Sequence, residues 1–480
     1  MVSLFVSIAV CLGAEAAPAT FTVTVPRELD TVHVEAAYTV SEPYLEISEG
    51  AYSDGVPGGL AGFVENLSVT RADGSAVTVE GPEAGRWKIG AVTGDAITVR
   101  YDVRLKHGDH RWPFGVDGIA YTRDASAFFV SHTILIVNES VRASRVKFVV
   151  PEGWRVATPW RSVEGEANTY TVANKLMLLE ACVIAGDFVS REVRSGNTVV
   201  TLAIGNDLAP YADTLETGTR SSVLAYSELF QDTPQARFLA VLNTGGITDG
   251  SAYPNSVSMI TPKKMEGANF VQAMYTLSHE ILHLWNGYRL RPAKQMEWFR
   301  EGFTDYLTWR TLVNLDLISE EALLTELRRQ IGAYVNLNHD VSIAASGDDR
   351  GDSKNNVLVY EGGSLVALCL DAKIRERTEN VQVFAQFMNR VYARTAMQNA
   401  PYDEVTLIAV ATELAGENMK PFFDRYVNGT EPLPLDASLA VFGLRAEKKD
   451  ATGRISVTVV PEKSPKGATK NLQDEYLGRN

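Results

Sequence analysis

Between Phe21 and Leu176 apolar positions alternate with polar ones or bunch into short runs of β-branched and aromatic residues. The clearest are FTVTV (21–25), TVHVEAAYTV (31–40), AITVRYDVRL (96–105), FFVSHTILIVN (128–138) and RVKFVVP (145–151). Period-two alternation broken by Gly, Pro and Asp turns predicts strands, and their succession predicts an antiparallel β domain. TVVTLAIG (198–205) and ARFLAVLN (236–243) add strands to the region that follows. From about Ala268 the period lengthens to that of helices, in FVQAMYTLSHEILHLW, EWFREGFTDYLTWRTLV, SEEALLTELRRQIGAYV, GGSLVALCLDAKIRER and VQVFAQFMNRVYART. Ser319, followed by Glu320 and Glu321, predicts a helix N-cap with favourable first-turn charge. The pattern predicts an α+β multidomain chain. A β domain covers 17–176, a mainly helical domain 177–445, and one strand with a loose tail 446–480.

Composition narrows the function. The chain has 480 residues, 45% hydrophobic and 22% charged, which is ordinary for a soluble globular protein with room for more than one core. A net charge of −14 and the absence of a Lys/Arg cluster argue against nucleic acid and anionic membranes as partners. The apolar run in MVSLFVSIAVCLGAEAAPAT, closed by Ala14-Glu15-Ala16, reads as a secretory leader over 1–16 and predicts a secreted or periplasmic location. A buried N-terminal strand is the alternative. No later stretch is long and apolar enough to cross a bilayer. After leader removal Cys182 and Cys369 remain, either as a long-range disulfide or as two buried thiols.

The chemistry concentrates in YTLSHEILHLWNGYRLRP, residues 275–292. On a helix His279 and His283 share a face one turn apart, so both imidazoles can reach one metal ion, with Glu280 beside them. Catalytic zinc takes three protein ligands and keeps a position for water, which a neighbouring carboxylate can deprotonate. Glu280 has that place in the HExxH pattern. Gly287 and Pro292 break the helix and let a second one return, carrying WFREGFTDYL and with it Glu301 as third ligand. Glu297, one turn away, is a rival that spacing alone does not exclude. Asp305, one turn further on, is placed to hold a ligand histidine's free N–H. The opposing reading is a buried helix whose histidines hold no metal. His33, His107, His110, His132 and His339 lack metal-ligand spacing.

SHEILHLWNGYRLRP and WFREGFTDYL, with VLVYEGGSLVALCLDAKIRERT (357–378) and FFDRYVNGTEPLPLDASLAVFGL (422–444), resemble the glycyl aminopeptidase family of zinc peptidases in the gluzincin group. The similarity extends, with gaps, back to VKFVVPEGWRVATPW (146–160). The resemblance implies an N-terminal β domain followed by a thermolysin-like catalytic domain, one zinc ion per chain on His279, His283 and Glu301, and Glu280 as base. It also implies that Tyr360 donates to the oxyanion; as a lone residue it reads equally as a packing tyrosine. In GGITDGSAYPNSVSM (245–259), Gly245 and Gly246 match the family's substrate-side strand, but the Glu and His that follow in the family are absent. Thr248 stands at the acidic position, and Asp249 is the nearest carboxylate able to bind a substrate amine. Its alternative is a turn aspartate before Gly250. Gly362 replaces a family lysine, relatives have a longer insertion between His283 and Glu301, and a C-terminal PDZ domain is not expected.

These readings lead to a zinc metallopeptidase acting on peptide or protein substrates, by resemblance an aminopeptidase that removes small N-terminal residues. The alternatives are a zinc endopeptidase, a non-catalytic peptide-binding descendant, and a zinc hydrolase of a non-peptide amide or epoxide. Two imidazoles and a carboxylate favour zinc over cobalt or manganese.

Overall fold

The computed structural model describes residues 18–48, 58–106, 119–195, 198–233, 235–451 and 453–479. The leader-like segment 1–16, His107 and His110 lie outside them. The chain forms two compact units, one ending at Asp187 and the other running from Phe188 to Asn480.

The first unit is mostly β. Its largest sheet has eight strands, in the order Arg161–Ser162, Thr169–Val172, Ser144–Val149, Ala19–Thr24, Thr31–Thr39, Ala96–Arg104, Val64–Arg71 and Ala76–Val77. The alternation seen in the sequence is obeyed: Ile97, Val99, Tyr101 and Val103 point into the core while their neighbours face outward. Pairing in this sheet is antiparallel except between Ala19–Thr24 and Ser144–Val149, which run parallel. Parallel neighbours need a long crossover, and here the crossover is most of the unit itself. Strand Cys182–Gly186 pairs with Ser126–Val130, so this unit extends through Asp187.

The second unit begins with a five-stranded sheet in the order Val189–Ser195, Thr198–Ile204, Arg237–Thr244, Ser256–Thr261, Asp249–Tyr253. The three inner strands are parallel and both edges antiparallel. Helix α1 (Ala212–Phe230) makes the first crossover, and helix α2 (Ala268–Leu282) follows the last inner strand. Helices α3 (Phe303–Asn314), α4 (Glu320–Val335) and α5 (Gly363–Thr378) build the rest of the core with Trp285, Trp298, Phe299 and Phe303. The Ser319 hydroxyl accepts from the Ala322 N–H at 3.2 Å and starts α4 as a side-chain cap.

The expected strand and loose tail at the C-terminus give way to a hairpin, Leu444–Ala451 with Arg454–Pro461, and a helix, Ala468–Tyr476. Leu472, Tyr476 and Leu477 are buried, and the Arg310 guanidinium lies 4.2 Å from the Tyr476 ring centre. The polar composition of this segment hid a short apolar stripe that only tertiary contact makes visible.

One contact sets where helices α3 and α5 begin. A Cβ on Gly302 would lie 2.3 Å from the Gly363 carbonyl carbon, and one on Gly363 would lie 2.3 Å from the Trp298 carbonyl oxygen. The backbones touch, and the contact brings Glu301 and Tyr360 to the same place. Gly363→Ala therefore forces the helix ends apart, at about 1–3 kcal/mol or more. Thermal melting should show the second unit clearly destabilised; an unchanged melting profile would disprove that the close approach matters.

Candidate metal centre

Helix α2 delivers two imidazoles to one point. His279 Nε2 and His283 Nε2 lie 3.0 Å apart, and Glu301 Oε2 lies 3.4 Å from the first and 3.3 Å from the second. All three residues are buried, and their ligand atoms fall within 4.8 Å of one another. Among the described residues this is the one His, Cys, Asp and Glu group with that geometry.

The neighbours decide which nitrogen faces the centre. His279 Nδ1 lies 2.9 Å from Asp305 Oδ1, and His283 Nδ1 lies 2.9 Å from the Asn286 carbonyl oxygen. As neutral imidazoles with Nδ1–H turned to these oxygens, both histidines would direct their Nε2 lone pairs inward, the arrangement metal-bound imidazoles need. Asp305 is itself steadied by a hydrogen bond from the Tyr275 hydroxyl.

Asn286 was not singled out from the sequence. The chain leaves helical geometry at this residue (φ −88°, ψ 77°), which turns its carbonyl back to His283. Its amide donates to the Phe299 and Arg300 carbonyls at 3.3 and 3.2 Å and to the Thr304 hydroxyl at 3.1 Å. One side chain thereby ties the exit of the histidine helix to the turn that carries Glu301. The Asn-Gly pair after His283 is the sequence signal, a turn mark more than a site mark.

Glu297, the rival left open by spacing, faces away from the cluster. Its Oε2 pairs with Arg350 at 3.0 Å and Arg300 at 3.6 Å. The same arginines take the outer oxygen of Glu301: Arg300 lies 3.2 Å and Arg350 3.7 Å from Oε1. Glu301 thus presents Oε2 alone to the imidazoles. Burial opposes its charge, but Arg300 and the histidines outweigh that and hold the carboxyl well below the usual range. For His279 burial opposes protonation, yet Asp305, Glu301 and Glu280 together push its pKa up to about 10. An environment that negative, built from two Nε2 atoms and one carboxylate oxygen, suits a divalent cation.

Glu280 is buried beside the cluster. Burial raises its pKa, the two histidine charges counter this, and Glu301 and Asp249 add to the rise. The edge strand Asp249–Tyr253 lies against it. A Cβ on Gly250 would come within 2.9 Å of Glu280 Cγ and 2.8 Å of Thr276 Cγ2, so only glycine lets the strand approach this closely. Asp249 starts that strand, and its Oδ1 accepts from the Gly250 N–H at 3.0 Å. Gly245 N–H donates to the Thr261 carbonyl at 2.9 Å, and a side chain there would strike Ile260, whereas Gly246 has open space. The Thr248 hydroxyl pairs with that of Thr261 at 2.9 Å.

Tyr360 also borders the cluster, its ring centre 6.4 Å from that of His279. Burial and the Glu301 charge hold its phenol well above its ordinary pKa, so it keeps its proton. At Gly362 a Cβ would meet Ile343 at 3.4 Å. Cys369 is a buried free thiol, pushed up to about 12 by burial. His33 pairs with Asp102, burial lowers His132 to about 4, and His339 packs on Tyr334; none joins the cluster.

Residues 46–187 match the Peptidase M61 N-terminal domain, and residues 272–366 match the M61 glycyl aminopeptidase domain. These two segments are similar to the N-terminal and the aminopeptidase domain of the M61 family. The second match spans the cluster, Glu280 and Tyr360. Among solved structures, the chain resembles an aminopeptidase N family protein from Idiomarina loihiensis (TM-score 0.77, 18% identity, 90% of this chain and 79% of that one). It also resembles an M1 zinc metallopeptidase from Deinococcus radiodurans (TM-score 0.56, 14% identity, 87% and 95%). At these identities the likeness is one of fold. No curated protein sequence matches this chain.

The outward hydrogen bonds yield a prediction for binding of zinc as a probe ion. Asp305→Asn should weaken it roughly 10- to 100-fold, the usual effect of losing a partner behind a ligand histidine. Asn286→Ala should weaken it in the same direction. Chelator competition measures both, and wild-type affinity in either variant would show that its contact does not orient the ligands.

Proposed function

We propose that this chain is a zinc metallopeptidase that removes small N-terminal residues from peptides. The observation that carries the proposal is the convergence of His279, His283 and Glu301 beside a buried carboxylate, Glu280, and a phenol that keeps its proton, Tyr360. The family match and the zinc metallopeptidase neighbour support it.

His279 Nε2, His283 Nε2 and Glu301 Oε2 would hold the ion, one per chain. Bound there, zinc supplies Lewis acidity, polarising a scissile carbonyl and lowering the pKa of water to about 7. Glu280 takes a proton from the attacking water and hands it to the leaving amine. Its burial favours the first half of this transfer, because a carboxylate whose pKa is raised by burial is a better base toward water than one held ionised by a salt bridge. Tyr360 donates its hydrogen to the oxyanion of the tetrahedral intermediate. Asp305 and Asn286 hold the imidazoles.

Asp249 carries the exopeptidase part of the proposal. Its carboxylate heads the strand packed on Glu280, so it would meet the ammonium of a substrate whose first peptide bond faces Glu280. Thr248, at the position where the family has an acid, is engaged with Thr261 and offers no charge. Without amine capture by Asp249 the same cleft would act as an endopeptidase. We extend the proposal to an exported location on the strength of the leader-like segment 1–16.

Mass spectrometry of a mixed peptide library tests this, with Glu280→Gln as control. Stepwise loss of N-terminal residues by wild type alone is expected, with kcat/KM for free N-termini falling at least tenfold in Asp249→Asn. Internal cuts would replace the aminopeptidase assignment with an endopeptidase. A zinc-loaded wild type that cuts no peptide would leave a binding module or a non-peptide hydrolase.

A further inference from the structure

Arg350 is not a ligand, yet its guanidinium lies 3.7 Å from the outer oxygen of Glu301 and makes two closer contacts beside it. Nη2 donates to the Tyr360 hydroxyl at 2.8 Å, and Nη1 donates to Glu297 Oε2 at 3.0 Å. The guanidinium carbon lies 5.4 Å from the centre of the Tyr360 ring.

This placement is built in from both sides of the residue. Before it, Gln295 donates to the Gly347 carbonyl at 3.3 Å, and a Cβ on Gly347 would sit 3.4 Å from Glu297. After it, the Asn355 amide donates to the Asp349 carbonyl at 2.9 Å. Glu297, the anchor, is buried and held by Arg300 as well. The loop is thus pinned to the segment that leads into Glu301.

A guanidinium has donors and no acceptor. Its bond to Tyr360 occupies a lone pair of the phenol oxygen and excludes the phenolic hydrogen from that direction. It also polarises the O–H bond, since hydrogen bonds in a chain strengthen one another.

We infer that Arg350 is a positioning residue: anchored on Glu297, it holds the Tyr360 hydroxyl with its hydrogen directed into the cleft and sets how well that hydroxyl donates to a substrate oxyanion. The inference rests on the metallopeptidase reading, which gives Tyr360 a substrate oxygen to serve. A structural role alone would predict a different pattern, with stability lost and no dependence on the Tyr360 hydroxyl.

The experiment compares Arg350→Gln, Arg350→Lys, Tyr360→Phe and the Arg350→Gln/Tyr360→Phe double variant on a peptide that wild type cleaves, with zinc content measured for each. At saturating zinc Arg350→Gln should lower kcat roughly 10- to 100-fold, somewhat less than loss of a direct oxyanion donor, with KM unchanged. Arg350→Lys should recover part of the loss. Adding Arg350→Gln to Tyr360→Phe should cost nothing further, because the residue it serves is already disabled. Calorimetry with a phosphinic peptide, whose tetrahedral oxygens imitate the oxyanion, should show weakened binding in Arg350→Gln and none beyond that of Tyr360→Phe in the double variant. Equal losses with and without the Tyr360 hydroxyl, or wild-type kcat in Arg350→Gln, would overturn the inference. If wild type cleaves no peptide, the metallopeptidase reading fails by itself. The positioning role then stands or falls on the phosphinic ligand, and equal affinity in wild type and Arg350→Gln would end it.

Discussion

Everything in the second unit answers to one electrostatic constraint: a carboxylate oxygen and two imidazole nitrogens, all buried, are aimed at one point. Burying a carboxylate costs several kcal/mol unless it is paired, and lone pairs that face one another repel. The structure meets the constraint from outside. Arg300 and Arg350 neutralise the outer oxygen of Glu301, Asp305 and the Asn286 carbonyl fix the tautomers of the histidines, and the inner face is left strongly attractive to a cation. The same contacts that make the arrangement tolerable without an ion decide which atoms would bind one.

The backbone follows from that requirement. Glu301 reaches the cluster because the chain breaks at Asn286, turns, and re-enters as a helix whose first residues press against Gly363. Tyr360 precedes that same glycine, so a single backbone contact sets the distance between a ligand helix and the phenol. Gly250 lets the edge strand lie flat on Glu280. Close approach at these glycines brings together four chain segments: the edge strand, helix α2, the turn that carries Glu301 and the one that carries Tyr360.

The legible parts of the chain are those whose signal is local. Period-two and helical spacing revealed the β region and the major helices, and one turn of helix placed His279, Glu280 and His283. Glu301 and Asp305 followed from the returning helix, though Glu297 stayed a rival because periodicity says which residues share a face and nothing about which way an arginine pulls them. Asn286 looked like a turn residue, since its function depends on carbonyl and amide partners in another segment. Arg350 carried no signal, because its site is assembled by a loop whose path follows from contacts with Gln295 and Glu297. The C-terminal helix was hidden for the same reason: its apolar positions are few, and the surface they cover is supplied by α3.

The arginine pair also separates two demands that a peptidase cleft places on charge. The inner oxygen of Glu301 must stay available, and the phenol must stay protonated while still being a strong donor. A lysine at either arginine position would provide a point charge without the fork, and it could not bind Glu297 and a second group through separate nitrogens. With Arg350, one guanidinium joins the anchoring carboxylate to the phenol, and with Arg300 beside it the outer oxygen of Glu301 is also covered. The cleft therefore carries its positive charge behind the groups that act, so that the charge is felt by Glu301 and Tyr360 while the space in front of them is left to an ion and a peptide.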